Sequence, residues 1–267
     1  MWSLLLIPVL AALYALSTRC RKGHPGLEAL RGWRYAHRGL HGAAVPENSM
    51  AAFRRAVEGG YGMELDIHLL KDGALAVLHD HSLKRTAGAD ILIEDLTAAD
   101  LQSYRLQGTE ETIPLFSQVL DLVDGKAPLI VELKSTSDNF AALCEAATGL
   151  LEGYSGVYCI ESFDPRCIHW LKKHRPQLVR GQLAENFFRS GSKMNPVYKA
   201  LMSWQLTHFL TMPDFVAFQY RDRKNIGTFL SRRLWGAQGV SWTLRTQEAL
   251  DTAEKEGWIP IFEGFTP

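Results

Sequence analysis

Between His37 and Asp80 the chain gathers most of the polar groups that acid–base chemistry on an anionic substrate would use. His37-Arg38-Gly39 comes first, followed by Pro46-Glu47-Asn48-Ser49, Glu64-Leu65-Asp66, Lys71-Asp72-Gly73 and His79-Asp80. Histidine exchanges protons near neutral pH, so a pair of them can serve as base and acid. Glu64 and Asp66 are one residue apart, which on a strand turns both side chains to the same face. Two inward carboxylates repel unless one is protonated or a cation lies between them. Val131-Glu132-Leu133-Lys134 sets a third carboxylate at the end of another apolar run. An all-oxygen set suits Ca2+ or Mg2+ better than Zn2+. Arg38 offers a planar fork for a non-bridging phosphate oxygen, and Lys134 adds a second positive contact. Asp80 is placed either to orient the His79 ring or to cap the loop. The remaining histidines carry no such context and receive no role.

These groups sit at the ends of apolar runs, where barrel enzymes present catalytic side chains. Strands are predicted at 33–37, 61–66, 128–133, 156–161, 178–183, 214–219, 239–244 and 259–263. Helical stretches fall between them at 49–59, 115–124, 138–151, 165–175, 197–210, 225–235 and 246–256. Ser49 and Asp164-Pro165 supply start signals for two of these helices. Alternating strands and helices in a chain of 267 residues predict an α/β fold, a TIM (β/α)8 barrel.

A ninth apolar run, 74–78, follows the Glu64/Asp66 strand after Leu70-Lys71-Asp72-Gly73. Asp-Gly signals a hairpin, and a parallel neighbour would need a crossover of about a dozen residues that the chain does not have. Residues 67–79 are therefore read as a hairpin that returns His79 to the level of Glu64 and Asp66. The stretch 81–113 completes an insertion after the second strand, polar in character, with a short helix starting at Thr97-Ala98-Ala99-Asp100. The irregular 185–200 region is read as a loop over the barrel mouth.

Basic and acidic residues balance at 29 each, which argues against nucleic acid as a partner. Cys20, Cys144, Cys159 and Cys167 show no CxxC spacing; the three downstream ones read as buried free thiols, and Cys20, beside the basic flank, as a chance cysteine in preference to an acylation site. From Trp2 to Thr18 no residue is charged, and Arg19, Arg21 and Lys22 follow at once. This reads as a membrane anchor over 1–18, retained rather than cleaved, at the lower limit of length for a spanning helix. A basic juxtamembrane linker over 19–32 and a barrel over 33–267 complete the expected organisation. The basic flank places the catalytic domain on the cytoplasmic side. The sequence carries no signal for oligomeric state.

The ordered set HRG, PENS, ELD, KDG and HD resembles the glycerophosphodiester phosphodiesterases. The resemblance continues through Glu132-Leu133-Lys134, Ser162-Phe163-Asp164 and Val240-Ser241-Trp242-Thr243, so it spans about residues 33 to 264. Each motif alone is weak, but their order is specific. It implies a TIM barrel with an insertion after the second strand, and metal-dependent hydrolysis of a glycerophosphodiester to glycerol 3-phosphate and an alcohol. His37 and His79 would be the acid–base pair, Glu64, Asp66 and Glu132 the ligands of a divalent cation, and Arg38 the phosphate contact. Glu47, Asn48, Lys134 and Trp242 would be supporting or substrate-facing. The attacking group is water or the substrate's own 2-hydroxyl. The chain departs from the family at its end, where Phe262-Glu263-Gly264-Phe265 replaces an aspartate-bearing turn.

Two further readings stand beside this one. A lysophospholipase D type activity on membrane lysophospholipids is favoured by the anchor, and Trp204, Phe209, Phe215 and Phe218 are available for a lipid path, although apolar core is their expected role. A non-catalytic membrane protein that binds phosphorylated ligands would need only the cation and Arg38, which leaves the histidine pair unexplained.

Overall fold

Alternation along each apolar run divides its side chains between a barrel interior and an outer layer under the helices. The computed structural model describes residues 2–267, with side chains described from Leu6 onward. Its strands are β1 (Tyr35–His37), β2 (Gly62–Leu69), β3 (Leu75–Val77), β4 (Leu129–Leu133), β5 (Tyr158–Ser162), β6 (Arg180–Ala184), β7 (Phe215–Gln219), β8 (Gln238–Leu244) and β9 (Trp258–Phe262). All but β3 are parallel, in the order β1-β2-β4-β5-β6-β7-β8-β9, and β9 pairs back onto β1 to close the barrel. The eight runs read as barrel strands are the eight strands observed.

The helices are α1 (Trp2–Ser17), α2 (Met50–Glu58), α3 (Lys84–Ala87), α4 (Phe116–Val123), α5 (Phe140–Glu152), α6 (Pro165–His174), α7 (Pro196–Ser203), α8 (His208–Thr211), α9 (Ile226–Arg233) and α10 (Gln247–Lys255). Ser49 Oγ caps α2 by accepting from Ala52 N at 3.1 Å, and Asp164 caps α6 ahead of Pro165. The single helix expected over 197–210 is two, α7 and α8. Gln205 breaks it with a left-handed φ of 59°, held there by its buried amide, which donates to Thr228 Oγ1 at 2.5 Å.

Register sets the levels of the interior. His37 lies opposite Glu64, Asp66 opposite Glu132, and Glu132 opposite Glu161. Paired residues on parallel strands point to the same face, so these acids and His37 occupy neighbouring layers at the C-terminal ends of the strands. Beneath them the interior is filled by Tyr35, Ile130, Cys159, Phe215, Val240 and Ile259. Leu27 and Leu30 join this apolar cluster from a 3-10 turn, Pro25–Leu30. The stretch expected as a linker over 19–32 therefore helps to fill the barrel, because its two leucines complete an interior that the strands alone leave open.

β3 is antiparallel to β2, with Ile67 opposite Val77 and Leu69 opposite Leu75, as the hairpin reading required. The rest of the insertion is less polar than its sequence suggested. Leu70, Leu78, Leu83, Ile93, Leu101, Leu106 and Ile113 form a small core of their own. The helix expected from Thr97 is a 3-10 turn, Asp100–Ser103, with Asp100 accepting from Thr97 N at 2.8 Å.

The N-terminal expectation needs correction. α1 has 16 residues. At about 1.5 Å per residue that is about 24 Å, short of the roughly 30 Å hydrocarbon layer. No helix among the described residues is long and apolar enough to cross a membrane. The helix ends because the chain docks on the barrel. Thr18 O accepts from Ser231 Oγ at 3.2 Å, Trp235 Nε1 donates to Ala15 O at 2.8 Å, and the Arg21 guanidinium pairs with buried Asp214. Arg21 is thus engaged in the fold. Leu6, Ile7, Val9, Leu10 and Leu13 of α1 remain exposed. All four cysteines are buried and free, and burial pushes the Cys20 thiol up to about 12.

Candidate active site

His37 ends β1, and the chain turns sharply at the next residue. Arg38 adopts a left-handed φ of 56°, and its backbone N–H donates to Glu64 Oε2 at 3.1 Å. Asn48 is also left-handed, at φ 53°; its N–H donates to Arg38 O at 2.9 Å and its side chain donates to Asp66 Oδ2 at 2.8 Å. Such conformations disfavour side-chain-bearing residues and persist where the surroundings over-determine them, often at functional sites. Here the two strained residues brace one another and lock the Glu64–Asp66 edge of the site.

Glu64, Asp66 and Glu132 are buried, and each offers an oxygen within 4.8 Å of the others. Lys134 Nζ lies 2.7 Å from Glu132 and 3.0 Å from Asp66, although Asp66 Oδ1 is not aligned to accept a hydrogen bond. Burial, then the charges of Asp66 and Glu132, holds the Glu64 carboxyl well above its ordinary range. Burial also raises Glu132, to about 7, against the opposing pull of Lys134. Burial would raise Asp66 too, but Lys134, His79 and Arg38 outweigh it and hold this carboxyl far below the usual range. An interior that forces two of three carboxyls toward neutrality fits a divalent cation, which would restore all three to the ionised form.

His79 Nδ1 lies 2.6 Å from Asp80 Oδ1, so Asp80 orients the ring as expected and leaves Nε2 free. Asp80 and Glu47 are joined through Arg85, which reaches them at 2.5 and 2.6 Å, and Glu47 accepts from Arg38 Nη1 at 2.8 Å. This chain of charges ties the His79 loop to the Arg38 turn. Burial lowers His79 to about 4 and also lowers His37, the latter opposed by Glu263. Near neutral pH both rings are therefore neutral.

His37, Arg38, Glu64, His79, Glu132 and Trp242 line one cavity of about 220 Å³. Arg38 Nε is buried there without a protein acceptor, as is Trp242 Nε1. A larger cavity of about 590 Å³ shares Glu132 and Phe163 with it and is lined further by Lys134, Phe187, Met194, Tyr198 and Leu201. The irregular 185–200 region contributes its wall. Of the aromatic residues considered for a lipid path, Phe215 and Phe218 are core, while Trp204 and Phe209 are exposed.

Residues 37–263 match the sequence profile described as the Glycerophosphoryl diester phosphodiesterase family. The chain belongs to that family. Among curated relatives, a Glycerophosphodiester phosphodiesterase of Bacillus altitudinis is 36% identical over 129 residues, covering 45% of this chain and 52% of the relative. A Lysophospholipase D GDPD1 of Rattus norvegicus is 35% identical over 112 residues, covering 37% of this chain and 35% of the relative. The alignment thus spans about half the length of the first of these relatives and about a third of the second. In fold, an Oleispira antarctica phosphodiesterase in complex with the product sn-glycerol-3-phosphate superposes with a TM-score of 0.72 at 20% identity, covering 88% of this chain and 94% of that one.

Sequence reasoning missed four members of this phosphodiesterase-family site. Glu263 Oε2 lies 3.3 Å from His37 Nδ1, so the residue that marked a departure from the family pattern is the partner of a central histidine. Its inward position was readable, since Ile259, Ile261 and Glu263 alternate on one face of the last strand. Glu161 was readable in the same way, at the end of a strand run; it is buried, and burial plus Glu132 raises its carboxyl well above the usual range. His41, 3.6 Å from Glu263, and Arg85 had no spacing that could have signalled them.

Proposed function

We propose that the chain hydrolyses glycerophosphodiesters to glycerol 3-phosphate and an alcohol. The observation that carries this reading is the convergence of His37, His79, Arg38, Glu64 and Glu132 on one cavity at the C-terminal ends of the strands. Arg38, held by Glu47 and with its Nε 3.5 Å from Asp66 Oδ2 but not hydrogen-bonded there, would turn that Nε to a non-bridging phosphate oxygen. Glu64, Asp66 and Glu132 would hold a Ca2+ or Mg2+ ion, which when bound polarises the phosphoryl group. One histidine takes the proton of the attacking hydroxyl, from water or the substrate's 2-position, as its oxygen bonds to phosphorus; the 2-hydroxyl route forms a cyclic phosphate, which water then opens to glycerol 3-phosphate. The other gives a proton to the leaving oxygen as its bond to phosphorus breaks. His79 suits the first role, because Asp80 occupies its Nδ1 and leaves Nε2 as the acceptor. An anionic phosphate beside the rings raises their proton affinity and so supports the second role. His37→Ala should lower turnover by about 10²–10⁴-fold with fold and cation binding retained. Near-normal turnover in that variant rejects the assignment.

A lysophospholipid substrate is the second reading, favoured by the adjoining 590 Å³ cavity and its walls of Phe163, Phe187, Met194, Tyr198 and Leu201. The acyl chain, which stays on the glycerol phosphate when the head-group alcohol leaves, has an apolar place to lie beside Glu132. Comparing glycerophosphocholine with lysophosphatidylcholine as substrates separates the two readings. Saturable binding of both without turnover, in excess Ca2+ or Mg2+, would instead identify a phospho-ligand binding protein.

A further inference from the structure

We propose that His68, His81 and Glu94 form a second metal site, one that takes a divalent transition ion of the Zn2+ class. His68 follows Glu64 and Asp66 on the same face of β2 and is wholly buried. His81 comes two residues after His79. Glu94 lies in the insertion, on a 3-10 turn, Ile93–Asp95. The Nδ1 atoms of His68 and His81 both point at Glu94 Oε1, at 2.9 and 2.5 Å. Their rings stand nearly perpendicular, at 86°, with centroids 4.9 Å apart. The backbone fixes this approach: Ile93 N–H donates to His81 O at 2.8 Å and Leu83 N–H donates to Ile91 O at 3.0 Å.

Three donor atoms, one each from His68, His81 and Glu94, lie within 4.8 Å of one another, and this convergence makes the case for a cation. The Nε2 of His68 lies 3.4 Å from the backbone carbonyl of His79, which accepts its proton when a cation takes the lone pair of Nδ1. Without a cation, each ring can instead donate an Nδ1 proton to Glu94 Oε1. A metal-bound imidazole that donates its other N–H to a backbone carbonyl is the usual outer support of a histidine ligand. Two imidazole nitrogens and one carboxylate also form the donor set of open zinc sites, unlike the all-oxygen set of Glu64, Asp66 and Glu132.

The fit requires little movement. A tetrahedral ion with ligands at about 2.0–2.1 Å spreads them about 3.3 Å apart, so the cluster opens by less than about 1 Å. The His81 side chain is 46% exposed and has room to move. Binding would pin residues 79–81 to β2 and to the insertion, and so brace the loop that carries His79. The site is a positioning device for that loop, not a second catalytic centre.

The test uses the full chain, stripped with a chelator and returned to excess Mg2+, with Zn2+ then titrated against a chromophoric chelator. Glu64→Gln serves as the background, so that binding to the carboxylate set does not count. One equivalent of Zn2+ is expected in that background, and adding His81→Ala or Glu94→Gln should weaken it by about 100-fold or more. Co2+ in place of Zn2+ should give the strong visible absorption of a four-coordinate site, lost in the same variants. Both substitutions fall on residues outside the main core, and thermal melts check that the fold is kept. No retained Zn2+ in the Glu64→Gln background overturns the proposal, as does retention that neither His81→Ala nor Glu94→Gln reduces.

Discussion

Binding of a divalent cation by Glu64, Asp66 and Glu132 should release protons, so its strength should rise with pH. Burial, opposed by Lys134, holds Glu132 at about 7, and burial with the charges of Asp66 and Glu132 holds Glu64 well above its ordinary range. Asp66, kept low by Lys134, His79 and Arg38 despite its burial, is already ionised and contributes no proton. A cation binds the ionised forms, so affinity follows the ionised fraction. For Glu132 alone that fraction is about 1/11 at about pH 6 and about 10/11 at about pH 8, a gain of about tenfold or about 1.4 kcal/mol. The raised Glu64 adds a second released proton and steepens the dependence. The assay is titration calorimetry with Mg2+ or Ca2+ across this range, in two buffers of different ionisation enthalpy. One to two protons should leave per ion at the acidic end, and the Kd should tighten by at least about tenfold toward the alkaline end. Glu132→Gln should remove one of those protons along with much of the affinity. An affinity that is flat with pH, with heats independent of buffer, would refute the reasoning that burial keeps these carboxyls neutral.

Other outcomes follow from single contacts. Glu263 raises the proton affinity of His37, so Glu263→Gln should move the His37 limb of the kcat/KM profile to lower pH and cut kcat by about 10–100-fold; an unmoved limb would remove Glu263 from the site. Arg21→Ala leaves Asp214 buried without its cation and should cost about 3 kcal/mol in urea unfolding. A loss under about 1 kcal/mol would mean that this pair behaves as a surface ion pair. Filling the 590 Å³ cavity with Leu201→Trp should lower kcat/KM for lysophosphatidylcholine by about tenfold while sparing glycerophosphocholine, and equal effects on both would detach that cavity from acyl-chain binding.

Much of the site was legible because strand periodicity is strict. A spacing of two put Glu64 and Asp66 on one face, and Asp72-Gly73 identified the hairpin that brings His79 back beside them. The N-terminus misled for the same local reason. An uncharged run followed by basic residues looks like an anchor, and only the buried Asp214 on a distant strand turn shows that Arg21 serves the fold. Residues 23–32 were likewise opaque, since Leu27 and Leu30 acquire meaning only against the open end of a barrel. The polar look of 81–113 concealed a core whose apolar residues are scattered without a helix or strand period.

What the sequence by itself determined is the set of reactive groups, the strands that carry them and the face to which each points, because these depend on residue type and local repeat. What only the tertiary structure decided is which groups meet. The pairing of Asp66 with Glu132, and of Glu132 with Glu161, depends on inter-strand register, and the partnership of His37 with Glu263 depends on closure of the last strand onto the first. The raised carboxyls, the neutral histidines and the cluster of His68, His81 and Glu94 all arise from that convergence, since burial and charge act through space and not along the chain.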